Sequence, residues 1–165
     1  GLQILDQVLT IGAVPWILTG GVLGLGLAVV QDLMLEFSGA NVQLQLVGDT
    51  DFAIHGAESE LRTIMHAVLS NAVEASPNGG VVQITLKHDQ QQVLVDDQGS
   101  GLAPAIAKQL FSPHCSTKPE GAGMGLYIAH RLLRRYYQAE ISLQNRDAGG
   151  CRVCICFAAK EPAPC

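Results

Sequence analysis

The sequence predicts an α+β domain: a two-layer sandwich of a mixed sheet with helices on one face. Apolar residues alternate with a period of two in paired segments, Val81–Lys87 with Val93–Val95, and Ile141-x-Leu143 with Val153-x-Ile155-x-Phe157, each pair closed by a polar turn. Long segments with three- and four-residue apolar spacing stand between those pairs, one at 58–75 and one at 124–137. Hydrophobic residues make up 48% and charged residues 15% of 165. That suits one domain with a real core and excludes a disordered segment. The spacing shows no internal repeat.

Residues 1–19 read as a linker plus a first strand near Pro15–Thr19, residues 20–158 as the domain, and residues 159–165 as a loose tail. No charged residue lies between Asp6 and Asp32. That stretch is long enough to cross a bilayer, for which about 20 apolar residues suffice. It contains Gly12, Pro15, Gly20, Gly21, Gly24 and Gly26 with Gln7, Thr10 and Thr19, and it lacks basic flanks. The soluble alternative is the short strand followed by a buried helix from about Gly21 to Phe37. A docking surface for a partner helix is a third reading.

Val42-x-Leu44-x-Leu46 alternates as a half-buried strand, and Phe52–His55 reads as its neighbour across a turn at Gly48-Asp49. Glu58–Ala75 is strongly helical, with Leu61, Ile64, Met65, Val68, Leu69, Ala72 and Val73 on one side and Ser59 or Glu58 near its start. Pro77-Asn78-Gly79-Gly80 stops it. The two following strands are joined at His88–Gln92. Pro104–Leu110 is a short helix with proline in its first turn. Met124–Tyr137 is a second long helix with Arg131, Arg134 and Arg135 toward its C-terminal end, where cations suit the dipole. The closing hairpin turns at Asp147–Gly150.

The formal net charge is −5 and those three arginines are the one basic cluster, which argues against nucleic acid as a partner. The five cysteines, 115, 151, 154, 156 and 165, are an odd number, and no basic cleavable leader precedes the domain, so a reducing cytoplasm is the simpler context. Cys151-x-x-Cys154 lacks the second ligand pair of a zinc site, and a strand sends its two thiols to opposite faces.

Four polar motifs carry chemistry. Asn71 offers a carboxamide oxygen to a hydrated magnesium ion and an amide to phosphate, or simply bonds locally. Asp97-x-Gly99-x-Gly101 puts a carboxylate at a strand end, able to accept from an amino group, on a glycine turn that admits close approach; a plain connecting turn is the alternative. Asp96 beside it is expected to face solvent. Thr117 and Lys118 close a loop begun by Phe111 and bring a hydroxyl and a cation. A catalytic Cys115/His114 pair is disfavoured by sequence adjacency. Gly121-x-Gly123-x-Gly125-Leu126 opens a helix whose N-terminus favours anions. It lies too late in the chain for a dinucleotide fold.

In that order, the motifs resemble the catalytic ATP-binding domain of bacterial sensor histidine kinases, in the GHKL superfamily shared with gyrase, Hsp90 and MutL. The likeness covers about residues 20–158 and implies the Bergerat-type ATP fold. It implies Mg-ATP as ligand, with Asn71 on Mg²⁺, Asp97 on the adenine amino group, Gly99 and Gly101 under the ring, and Thr117, Lys118 and the Gly121, Gly123, Gly125 backbone with Leu126 around the phosphates. Asn71 and Lys118 are the implied catalytic residues. The implied reaction is transfer of the γ-phosphoryl group to a histidine on a separate dimerisation domain, followed by a response regulator, in a homodimeric, membrane-linked parent whose catalytic part is cytoplasmic. No phosphoacceptor motif occurs in this chain, beyond a possible remnant near Gly1–Leu9. Asn71-Ala-x-Glu74-Ala75 followed by Pro-x-Gly-Gly is similar to the nitrogen-regulatory subclass, and the short Lys118–Gly121 interval implies a compact lid. Ala67 departs from the pattern, which has Asn there, or Glu in the ATPases; His66 is adjacent but about 100° round the helix, which makes it a poor substitute by helix geometry alone. The second reading is therefore a nucleotide-sensing or protein-docking module without phosphotransfer. A hydrolase of the MutL or gyrase type is a weaker third.

Overall fold

The computed structural model describes residues 25–103, 111–112 and 124–157. Helix α1 (Leu25–Glu36) runs into a single 3₁₀ turn at Phe37–Gly39. Strand β1 (Gln43–Gly48) is followed by α2 (Glu58–Ala75), β2 (Val81–Lys87), β3 (Gln92–Asp96), α3 (Gly125–Leu132), a π turn at Leu133–Tyr137, β4 (Glu140–Asn145) and β5 (Cys151–Cys156). The sheet order is β1-β2-β3-β5-β4. β1 pairs parallel to β2 and the other neighbours are antiparallel, so the sheet is mixed. The expected strand near Pro15–Thr19, the Pro104–Leu110 helix and the tail lie outside the described residues.

Alternation along the strands assigns the two faces. Val82, Ile84 and Leu86 of β2, Val93 and Val95 of β3, and Val153 and Ile155 of β5 are buried on one face. They share a core with Val29, Val30 and Leu33 of α1, the Leu61–Ile64–Met65–Val68–Leu69–Ala72 stripe of α2, and Ala129 and Leu133 beyond. The helical layer therefore covers one face. Cys151 is buried on that side, whereas Cys154 and Cys156 lie on the other, with their sulfurs 3.5 Å apart.

One expected pairing is corrected. Phe52–His55 forms no strand beside β1; β1 reaches β2 through the α2 crossover. The cause lies at the end of β1. Gly48 takes φ +103°, the Asp49 amide donates to the Leu86 carbonyl at 3.0 Å, and the Asp49 carboxylate accepts the His88 amide at 2.7 Å. The chain is thus tied to the far end of β2 and does not fold back. Phe52 and Ile54 are still buried on alternate positions, as core plugs without a ladder. Gly26 of α1 stands over the Phe52 ring, where a side-chain carbon would come within 2.8 Å.

Helix α2 starts without a side-chain cap at Ala57; Glu58 and Glu60 supply favourable charge in its first turn. Its far end is fastened by Ser76, whose amide and hydroxyl both donate to the Ala72 carbonyl, at 3.1 and 2.9 Å. The expected single helix to Tyr137 widens at Leu133 into the π turn, a form common where a side chain must be re-aimed. Tyr137 then reaches back to donate its hydroxyl to the Ala57 carbonyl at 3.0 Å, with its ring edge-on to Phe157.

Candidate functional site

The face of α2 turned away from the core carries Thr63, His66, Ala67, Ser70, Asn71 and Glu74 at helical three- and four-residue spacing. With Gly125 and Ile128 of α3 these residues line a groove of about 280 Å³. α3 approaches closely because two small residues meet: a side-chain carbon on Gly125 would lie 3.4 Å from the Ala67 methyl. Ser70 donates its hydroxyl to Glu74 Oε1 at 2.8 Å. Asn71 is half-buried, and among the described residues its carboxamide makes no hydrogen bond. The local bonding that would explain it as an ordinary helix asparagine is not formed.

The Asp97 turn packs on the last turn of α2, beyond the Glu74 end of this groove. Asp97 is 5% exposed, and its Oδ1 accepts from the Gly99 amide at 2.8 Å and the Cys151 amide at 2.9 Å. Its own amide donates to the Cys151 carbonyl at 2.9 Å, and Arg146 Nη1 donates to its carbonyl at 2.8 Å. Gly99 presses against the last turn of α2, where an added carbon would come within 2.6 Å of the Ala75 carbonyl. Gly101 has φ +78°, and the next residue is clamped by Asn145: the Leu102 amide donates to Asn145 Oδ1 at 2.6 Å, and Asn145 Nδ2 donates to the Leu102 carbonyl at 3.1 Å. Gly150, at φ +82°, packs on the Asp97 carbonyl so closely that no side chain fits. Burial first, and then the Asp97 carboxylate, push the Cys151 thiol up to about 11. A neutral sulfur therefore sits behind the carboxylate.

Asp96 does not face solvent. It is 6% exposed and forms a two-pronged pair with Arg152, whose Nε and Nη2 donate to its two oxygens, both at 2.6 Å; Arg146 Nε lies 3.7 Å from Oδ2. The cause is register: Asp96 stands directly opposite Arg152 across the β3–β5 ladder. The adjacent carboxylates thus divide, Asp96 to the outer face and Asp97 toward α2.

Of the residues singled out by sequence, Asn71 and Gly125 share the groove, and Asp97, Gly99 and Gly101 form the turn at its end. Leu126 packs against the core and is not in the groove lining. Thr117, Lys118, Gly121 and Gly123 lie outside the described residues. Phe111, which begins their loop, stacks on His130 of α3 at 4.8 Å and 18°. Burial, then the nearby Arg134 charge, hold His130 below its ordinary value. Sequence reasoning missed Asn145, Arg146 and Gly150, which hold the Asp97 turn from the β4–β5 hairpin, and Arg152, which pairs with Asp96. Only Arg152 carried a signal, through strand alternation opposite an acid.

Residues 56–161 match the family described as histidine kinase-, DNA gyrase B- and HSP90-like ATPases. Sporulation kinase E of Bacillus subtilis (strain 168) is 31% identical over 118 residues, covering 70% of this chain and 16% of that kinase. The chain thus spans about a sixth of that relative's length. Among solved structures, the mycobacterial sensor histidine kinase MprB superposes with a TM-score of 0.66 at 20% identity, covering 81% of this chain and 91% of that one. Full-length ShkA in complex with AMPPNP superposes with a TM-score of 0.67 at 23% identity, covering 81% of this chain and 30% of that one. The chain belongs to this ATPase family and, within it, is a catalytic ATP-binding domain of the sensor histidine kinase type.

Proposed function

We propose that this domain binds Mg-ATP in the α2–α3 groove and transfers its γ-phosphoryl group to a histidine on the dimerisation domain of the same kinase. The acceptor then passes the group to a response regulator, and the parent is a homodimer linked to the membrane with this domain on the cytoplasmic side. Among the described residues no helix is long and apolar enough to cross a membrane. One observation carries the nucleotide assignment: a half-buried asparagine with no hydrogen-bond partner among the described residues lines a groove on α2, and the turn of a buried, backbone-anchored carboxylate packs on the last turn of the same helix. Asp97 accepts from the adenine amino group with the oxygen its backbone donors leave. Gly99 and Gly101 keep the turn low beneath the ring.

Asn71 fits a magnesium ion as one neutral oxygen beside phosphate, since Mg²⁺ keeps most of its waters. The ion neutralises charge on the triphosphate when bound. In this reading Lys118 and Thr117 hold the terminal phosphates, with the backbone of Gly121, Gly123 and Gly125. The chemistry asked of the protein is positioning and charge stabilisation.

Ala67 favours one second reading, nucleotide binding without phosphotransfer, because the groove lacks a polar side chain at that position. Incubating the chain with γ-labelled ATP and its matching histidine-bearing domain separates the two. Label on the acceptor histidine supports the kinase; tight nucleotide binding with an unlabelled acceptor supports the sensing module.

A further inference from the structure

The groove runs on past Asn71 toward the N-terminal half of α2, and its chemistry there is specific. From Ala75, which touches the Asp97 turn, Asn71 lies about 6 Å and His66 about 13 Å along the helix axis, at 1.5 Å per residue. A nucleotide laid with its base at Asp97 and its first phosphates at Asn71 therefore points its terminal phosphate at the segment 63–67.

Most side chains in that segment are already committed. Ala67 has no polar atom. Thr63 donates its hydroxyl to the Ser59 carbonyl at 2.8 Å. Arg62 donates to Glu36 Oε2 at 2.7 Å and lies 4.0 Å from Asp32, so two carboxylates of α1 hold its charge. Ile128 forms the apolar opposite wall. His66 differs. Its Nε2 lies 3.3 Å from Glu36 Oε1, and its ring rests on Phe37 at 5.3 Å between centroids. Glu36 is itself fixed by Arg62, so the imidazole is oriented from two sides. The side chain is 47% exposed. Among the described residues that line this end of the groove, His66 is the one whose side chain keeps a nitrogen, Nδ1, that takes part in no hydrogen bond with another described residue.

We infer that His66, oriented by Glu36 of α1, is the positioning residue for the terminal phosphate, replacing the polar side chain that Ala67 does not supply. With Nε2 turned toward Glu36 at 3.3 Å, Nδ1 is the ring nitrogen left to donate to a terminal phosphate oxygen. Glu36 acts through His66 and does not touch the nucleotide. This rests on the nucleotide-binding reading above. It also makes the end of α1 part of the phosphate site: the grip on the third phosphate depends on where α1 sits relative to α2.

Calorimetric titration of this chain with a non-hydrolysable ATP analogue and with ADP, both with Mg²⁺, tests it. His66→Ala should weaken the triphosphate analogue about tenfold and change ADP less than about twofold, the size expected of one charged hydrogen bond. Glu36→Gln should give a smaller loss in the same direction, and His66→Arg should retain the preference for the third phosphate. Equal losses for both nucleotides, which a merely structural role predicts, overturn the inference, as does an unchanged ratio. An unaltered chain that binds neither nucleotide overturns the site itself. Binding of both with an indifferent His66→Ala overturns this inference alone.

Discussion

Asp97 and Asn71 differ in what the fold already asks of them. Asp97 is structural on one oxygen, which takes the Gly99 and Cys151 amides. An asparagine can keep those two bonds through its carbonyl oxygen while replacing the second acceptor by an NH₂ donor. Asp97→Asn should therefore leave thermal stability nearly intact and weaken ATP-analogue binding by at least about tenfold; unchanged affinity by calorimetry rejects the adenine role. Asn71 is the opposite case, with no hydrogen bond among the described residues to lose. Asn71→Ala should unfold with the same midpoint as the parent, yet bind nucleotide with an affinity that chelation of Mg²⁺ no longer alters. A clear fall in the melting temperature would mark Asn71 as structural instead.

The elements explain why the turn stays in place. β3 delivers Asp97, the last turn of α2 backs it at Ala75, and the β4–β5 hairpin clamps it through Asn145, Arg146 and Gly150. Gly150→Ala meets both the positive φ and the Asp97 carbonyl, so it should destabilise by about 1–3 kcal/mol and loosen the turn; denaturant unfolding with nucleotide titration reads both effects. The Phe111–His130 stack gives a pH signature. Because the folded protein holds His130 below its ordinary value, the unfolded chain binds the proton more readily. The neutral stack contributes in full above about pH 6.5, the ordinary histidine value, and its contribution falls on acidification through the folded value. His130→Phe should flatten that part of the stability–pH curve; an unchanged curve removes His130 as its source.

Much of the architecture was legible because local signals agreed with the fold. The α2 boundaries, both antiparallel hairpins and the turn glycines follow from periodicity and turn chemistry alone. Phe52–His55 was not legible as a non-strand. Its alternation is real, and only the ties from Asp49 to Leu86 and His88 show that β1 has another partner. Asp96 was misplaced for a related reason: two adjacent acids look alike until the β3–β5 register sets one opposite Arg152. The sequence expectation that Asn71 and Gly125 face one site agrees with the groove they share, and Gly99 of the Asp97 turn packs on the end of α2; Thr117, Lys118, Gly121 and Gly123 lie outside the described residues. The contribution of α1 was not, since Glu36 and His66 are thirty residues apart and their meeting depends on how two helices pack.

The molecule as a whole brings together an amide that takes no hydrogen bond from another described residue, in a groove on α2, and an anchored acid whose turn packs on the last turn of the same helix. Titration of the intact chain with a non-hydrolysable ATP analogue, with and without Mg²⁺, tests this most directly. One saturable site whose affinity drops when Mg²⁺ is chelated is the predicted result. No measurable binding, or binding indifferent to the metal, would contradict it.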